Sequence, residues 1–138
     1  MHESSLSPCI HSILASKLGD MRKAYELYLR TARLDLDDYN NEADQGCHIT
    51  SMAGTWMAIV EGFGGKRIRD GKIGFSPIIP DEWKSYSFKI RYHCCTIEVS
   101  VDKKMVKIRN MSESNLRLFV YDKELEVLGN QELIVSAK

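Results

Sequence analysis

The hydrophobic period of this chain changes once, at the glycine cluster Gly62-Phe63-Gly64-Gly65. Before the cluster, apolar residues recur every three or four positions, the repeat of a helix face. After it they alternate, the repeat of a strand with one buried side. Segregated periods of this kind predict an α+β chain, with helices first and a small antiparallel sheet or sandwich second. The boundary divides the sequence into 1–64 and 65–138. Charge changes sign at the same place. Residues 1–64 hold five of the nineteen Lys and Arg and nine of the nineteen Asp and Glu, so the two parts carry −4 and +4 while the whole is neutral.

Three helices are expected in the first part. Ser7-Pro8 reads as a start, a capping hydroxyl followed by a proline whose missing N–H costs nothing there. Ile10, Ile13, Leu14 and Leu18 follow at helical spacing, and Gly19 is the stop. Asp20 caps the second helix, in which Met21, Ala24, Tyr25, Tyr28, Leu29 and Ala32 form one face opposite Arg22, Lys23, Glu26, Arg30 and Arg33. The stretch 35–46 reads as a solvated acidic loop. It is not a calcium loop, because Tyr39 and Asn40 fall where an oxygen ligand and a glycine are needed. The third helix, about 47–63, has one acid (Glu61) and no Lys or Arg. Its small residues Thr50, Ser51, Ala53, Gly54, Thr55 and Ala58 predict close neighbours on several sides, with Trp56 in the core.

In the second part Tyr86, Phe88, Ile90 and Tyr92 alternate with polar residues, as do Ile97, Val99 and Val101, then Val106 and Ile108, then Leu116, Leu118 and Val120. The run Pro77–Trp83 reads as a stiff connector, since proline cannot donate to a ladder, and Trp83 as a plug between the two parts. Lys66, Arg67, Arg69 and Lys72 read as a solvated basic hairpin. With zero net charge no field draws the chain to nucleic acid. No apolar run approaches the roughly 20 residues that span a bilayer, and no signal-peptide pattern opens the sequence, so a cytoplasmic protein is expected. Cys9, Cys47, Cys94 and Cys95 form no C-x-x-C pair and read as reduced thiols. His93-Cys94-Cys95 suggests a metal site only weakly, because neighbours on a strand point to opposite faces; no metal and no cofactor is expected.

Three consecutive helices on short connections place the first and third parallel, so their N-termini open at one end. Ser4, Ser5 and Ser7 lie near the first start, and His48 and Ser51 near the third. Free N–H groups and the positive dipole end favour an anion at each, and hydroxyls and an imidazole add directional donors. Serines before a proline also serve simply as caps, and a histidine in an apolar helix also serves as core. His11 is explained as well by packing as by chemistry, and His2 as a terminal residue.

Five segments resemble one family in register. Glu3-Ser4-Ser5-Leu6-Ser7-Pro8-Cys9-Ile10-His11-Ser12-Ile13 is similar to the serine motif of the disaccharide phosphorylases of glycoside hydrolase family sixty-five. So are Ala32–Asn41, Gly46-Cys47-His48-Ile49-Thr50-Ser51-Met52-Ala53-Gly54-Thr55-Trp56, Glu61–Gly65 and Pro80–Phe88. The likeness covers nearly the whole chain. It implies the last helices of an (α/α)6 barrel followed by a C-terminal β domain. It also implies inorganic phosphate as co-substrate, held by Ser4, Ser5 and His48 with possible support from Ser7 and Ser51. The implied reaction is inverting phosphorolysis of an α-glucosyl disaccharide, maltose above all, to β-glucose 1-phosphate and a free sugar. In it one carboxylic acid protonates the leaving oxygen while phosphate attacks the opposite face.

The resemblance places the general-acid glutamate upstream of the serine motif, where this chain begins, so no catalytic residue is expected here. The chain then reads as a fragment, a truncated frame or one piece of a split protein. It would be inactive alone and partnered by a missing N-terminal part or a separate catalytic chain, with a homodimer when complete. Two rivals remain. A trehalose-type hydrolase of the same architecture needs a general base, for which Glu3 is the only nearby acid. A non-catalytic packing module would use the sheet alone.

Overall fold

The computed structural model describes residues 4–39 and 41–138. The chain divides into two compact units, Met1–Phe63 and Gly64–Lys138. Glu3 and His2 lie outside the described residues.

In the first unit α1 spans Ser7–Leu18, α2 Met21–Ala32 and α3 Ile49–Met57, with a short 3-10 turn at Ala43–Gln45 ahead of α3. Gly19 closes α1 in the left-handed region at φ +80°, its N–H directed at the carbonyls of Ala15 and Ser16, a conformation that suits glycine. The Asp20 carboxylate accepts the Lys23 N–H at 3.0 Å and starts α2 as expected. The hydroxyl at the start of α1 is Ser4, not Ser7: Ser4 Oγ accepts the N–H groups of Leu6 and Ser7 at 3.3 and 3.4 Å, and Ser7 is already helical. The third helix begins two residues later than its sequence pattern suggests, and its last turn, Ala58–Phe63, widens to π geometry.

The buried face of α1 also differs from the expected one. Pro8, Cys9, Ser12, Ala15 and Ser16 are buried, whereas Ile10, Leu14 and Leu18 are exposed. The small residues face inward because the backbones come close. A Cβ placed on Gly54 would lie 3.0 Å from both Cβ and Sγ of Cys9, and one on Gly62 would lie 3.3 Å from Ser16 Oγ. Larger side chains on either helix would force the pair apart. Cys9 meets Gly54 and Ser16 meets Gly62, so the two helices ascend together. The Ser12 hydroxyl donates to the Ala24 carbonyl at 2.8 Å, and Tyr28 meets the Phe63 ring edge-on at 5.7 Å, which seats α2 against both. Trp56, expected in the core, is 49% exposed, on the side of α3 that also exposes Ile49 and Met52.

The second unit holds two four-stranded sheets, in the orders β1-β2-β6-β7 and β3-β4-β5-β8. Strands β1 (Arg67–Arg69) and β2 (Lys72–Phe75) form the basic hairpin, turning through Asp70 and Gly71 at φ +51° and +69°, a two-residue turn that matches strand twist. Strands β3 (Ser85–Tyr92), β4 (Cys95–Asp102) and β5 (Met105–Asn110) make a meander with β8 (Glu132–Ser136) at its edge. β6 (Leu116–Val120) and β7 (Lys123–Val127) pair as a hairpin. One pair departs from the antiparallel expectation. β2 and β6 run parallel, Gly74 opposite Phe119 and Phe75 opposite Val120, because the intervening chain lays down three strands of the other sheet before returning beside β2.

Ile97, Val99, Val101, Val106, Ile108, Leu116, Leu118 and Val120 are buried as their alternation dictates. Phe75 and Phe88, one from each sheet, meet at 6.1 Å, so the two inner faces share a core. Pro77–Trp83 carries no strand and is pinned by side chains, the Tyr86 hydroxyl donating to the Ile78 carbonyl at 2.9 Å and that of Tyr121 to Pro77 at 3.2 Å. Asn110, fully buried, donates to the carbonyls of Ser114 and Val127 and accepts the Ser112 N–H.

Candidate functional site

The parallel course of α1 and α3 brings the start of one beside the start of the other. Ser51, buried in the first turn of α3, donates its hydroxyl proton to the Ser5 carbonyl at 2.8 Å. That bond ties the serine pair to the helix that His48 begins. Ser4 has spent an oxygen lone pair on the Leu6 and Ser7 N–H groups, but a hydroxyl that accepts keeps its own proton to donate. Ser7 sits half-buried in the first turn of α1.

His48 is the residue at the N-cap of α3, with φ −81° and ψ 80°. Two carboxylates hold it. Asp35 grips it twice: Oδ2 accepts the backbone N–H at 2.9 Å, and Oδ1 accepts a hydrogen bond from Nδ1–H at 2.5 Å. Glu42 Oε2 stands 3.4 Å from Nε2 on the other side of the ring. The His48 pKa is raised above the ordinary imidazole value, chiefly by the Asp35 hydrogen bond and further by Glu42, against a smaller opposing effect of burial. The Asp35 carboxyl is lowered by the same two bonds to His48. The ring therefore stays cationic further up the pH scale than a free histidine.

A cationic imidazole at a helix start, with hydroxyls close by, can donate charge-assisted hydrogen bonds to an oxoanion. Glu42, its side chain half-exposed, occupies the direction in which Nε2 would donate. A hollow of about 520 Å³ lies alongside, lined by Leu34, Asp35, Cys47, Ser51, Met52 and Thr55. Asp35 and Glu42 are missing from the sequence-level site because their segment reads as a solvated acidic loop. The available signal was an acidic residue upstream of an N-cap with an imidazole.

The remaining candidates fall away from this cluster in chemistry. His11 is exposed on α1. Cys94 is exposed while Cys95 is buried with its Sγ 3.6 Å from the Ser114 carbonyl, so the two thiols do not present one face. Within the β unit Trp83 packs edge-on against Tyr86 at 5.6 Å. In the basic hairpin Lys72 pairs with Glu124, and Arg69 lies 4.0 Å from Asp122. Among the described residues no helix is long and apolar enough to cross a membrane.

Comparison with known proteins accounts for both units. Residues 1–57 match the glycosyl hydrolase family 65 central catalytic domain, and residues 67–127 match the C-terminal domain of that family. The chain belongs to glycosyl hydrolase family 65. It is 48% identical over 132 residues to a maltose phosphorylase of Bacillus subtilis (strain 168), an alignment covering 96% of this chain and 17% of the relative. It is 42% identical over 135 residues to an alpha,alpha-trehalose phosphorylase of Geobacillus stearothermophilus, covering 98% and 18%. A solved structure described as "Putative kojibiose phosphorylase from human microbiome" superposes with a TM-score of 0.93 at 41% identity, over 100% of this chain and 20% of that one. The chain thus spans about one-sixth of the length of the curated relatives it matches.

Proposed function

We propose that this chain supplies the phosphate-side wall of an inverting α-glucoside phosphorylase, with Ser4, Ser5 and His48 holding inorganic phosphate and Ser7 and Ser51 in support. The observation that carries the reading is the Ser51–Ser5 hydrogen bond, which fastens the serine pair to the helix that begins at His48, whose pKa is raised by Asp35 and Glu42. In the proposed reaction the phosphate dianion is held by the imidazolium and the serine hydroxyls with one oxygen facing the anomeric carbon. A carboxylic acid from outside this chain protonates the leaving oxygen. Phosphate stands where a hydrolase keeps its activated water, so no second carboxylate is required. Maltose is the favoured disaccharide, in keeping with the 48% identity to a maltose phosphorylase.

The test is a chimera in which this chain replaces the matching C-terminal segment of the Bacillus subtilis maltose phosphorylase. Ser5→Ala and His48→Ala in that chimera should raise the KM for phosphate at least about tenfold while changing the KM for maltose less. The chain alone should release no glucose 1-phosphate from maltose and phosphate. An unchanged phosphate KM in both variants overturns the assignment.

A further inference from the structure

Asp35 makes two contacts with one residue, and both bear on the direction His48 can act in. Its Oδ1 holds Nδ1–H, which orients the ring and favours the imidazolium, the form in which Nε2–H is a second donor directed away from the clamp. Its Oδ2 holds the His48 backbone N–H, which fixes where α3 starts and hence where the ring is rooted. The reach is long in sequence, thirteen residues, so the loop after α2 is fastened to the start of α3 through this carboxylate. Asp35 and His48 are each about four-fifths buried in their side chains, 22% and 23% exposed, which limits how much water can compete for the bond. A carboxylate behind a working histidine is the arrangement that orients metal-binding and general-base imidazoles elsewhere.

We propose that Asp35 is the positioning residue of the oxoanion site, aiming His48 Nε2–H at the anion by clamping both the ring and the backbone of His48. This rests on the phosphate reading above. Asp35 does not itself touch the anion; its negative charge sits on the far side of the imidazole. The charged groups that face His48 among the described residues are Asp35 at Nδ1 and Glu42 at Nε2. Both favour the cation. Only Asp35 is placed to leave the anion-facing nitrogen free. Glu42 competes for that nitrogen and has to turn away when an oxoanion arrives.

The experiment uses the full chain, labelled with nitrogen-15, and sulfate and phosphate as probes. Sulfate keeps its double charge from pH 5 to 9, so its pH profile reports the protein. In the wild-type chain the imidazole nitrogens of His48 should titrate above the ordinary value of about 6.5, and sulfate binding should weaken as the ring loses its proton. Asp35→Asn should lower the His48 pKa, loosen the ring and the start of α3, and weaken both anions at least about tenfold. Asp35→Glu should restore part of both. Should Asp35→Asn fail to fold, the Asp35→Glu variant and the wild-type pH profile still decide the matter. Wild-type binding that Asp35→Asn leaves unchanged overturns the role of Asp35 and leaves the phosphate site standing, whereas a sulfate profile flat across the His48 titration overturns the part of the His48 cation in that site and the role of Asp35 with it. A wild-type chain that binds neither anion overturns the phosphate reading and the role of Asp35 with it.

Discussion

Replacing Gly54 by alanine tests the helix packing on which the candidate site depends. In an exposed helix interior this exchange stabilises by about 1 kcal/mol, because alanine loses less backbone entropy on folding. Here the new Cβ would meet Cys9 Cβ and Sγ, each at 3.0 Å, where carbon contacts settle at about 3.5–4.0 Å. Forcing a methyl into a packed position costs about 1–3 kcal/mol. The strain exceeds the propensity gain, and Gly54→Ala should lose about 1 kcal/mol. Ala53→Gly, one residue away and exposed, should lose a similar amount for the opposite reason, having no packing to relieve. Cys9→Ala removes the sulfur but not the Cβ, so in the double variant the cost of Gly54→Ala should fall by about 0.5 kcal/mol or more without vanishing. Urea unfolding followed by circular dichroism at 222 nm reads the wild type and the four variants. A Gly54→Ala chain that is more stable by the full propensity gain would refute the close approach of α1 and α3.

His48 is raised and Asp35 lowered by their mutual bond. The histidine's share of stability is therefore complete below about pH 6.5 and lost as pH rises through its folded value, while the aspartate's share is complete above about pH 3.9 and lost as pH falls. The helical unit should accordingly be most stable between those limits in urea melts, and Asp35→Asn should flatten the profile; an optimum above pH 8 would contradict the pairing. Asn110→Ala strands the Ser112 N–H and two carbonyls inside the β unit, which should cost about 1–3 kcal/mol in a melt followed by tyrosine and tryptophan signal from residues 83–92. A loss below 0.5 kcal/mol would mean that water replaces the side chain.

The fold was legible where periodicity alone decides it. The switch at Gly62–Gly65, the Gly19 stop, the Asp20 cap and the alternation of Ile97, Val99 and Val101 each have one local physical cause. What escaped depends on which of two plausible faces packs. The large apolar residues of α1 looked like its core, yet a helix that approaches another through Gly54 and Gly62 buries its small residues, and no single-helix pattern carries that information. The parallel β2–β6 pair is likewise set by the path of the chain between them. At the site, helix polarity was enough to bring Ser5 near the start of α3. Asp35 and Glu42 were read as solvated because an acidic run normally is, and only the return of the loop onto the start of α3 turns two of its carboxylates toward His48.

The most direct measurement is a nitrogen-15 correlation spectrum of the 138-residue chain recorded through a titration with inorganic phosphate at pH 6. The account predicts saturable shifts confined to Ser4, Ser5, His48 and Ser51, with the Nε2 resonance of His48 moving most. Shifts scattered over the lysines and arginines of the β unit, with those four signals stationary, would contradict it.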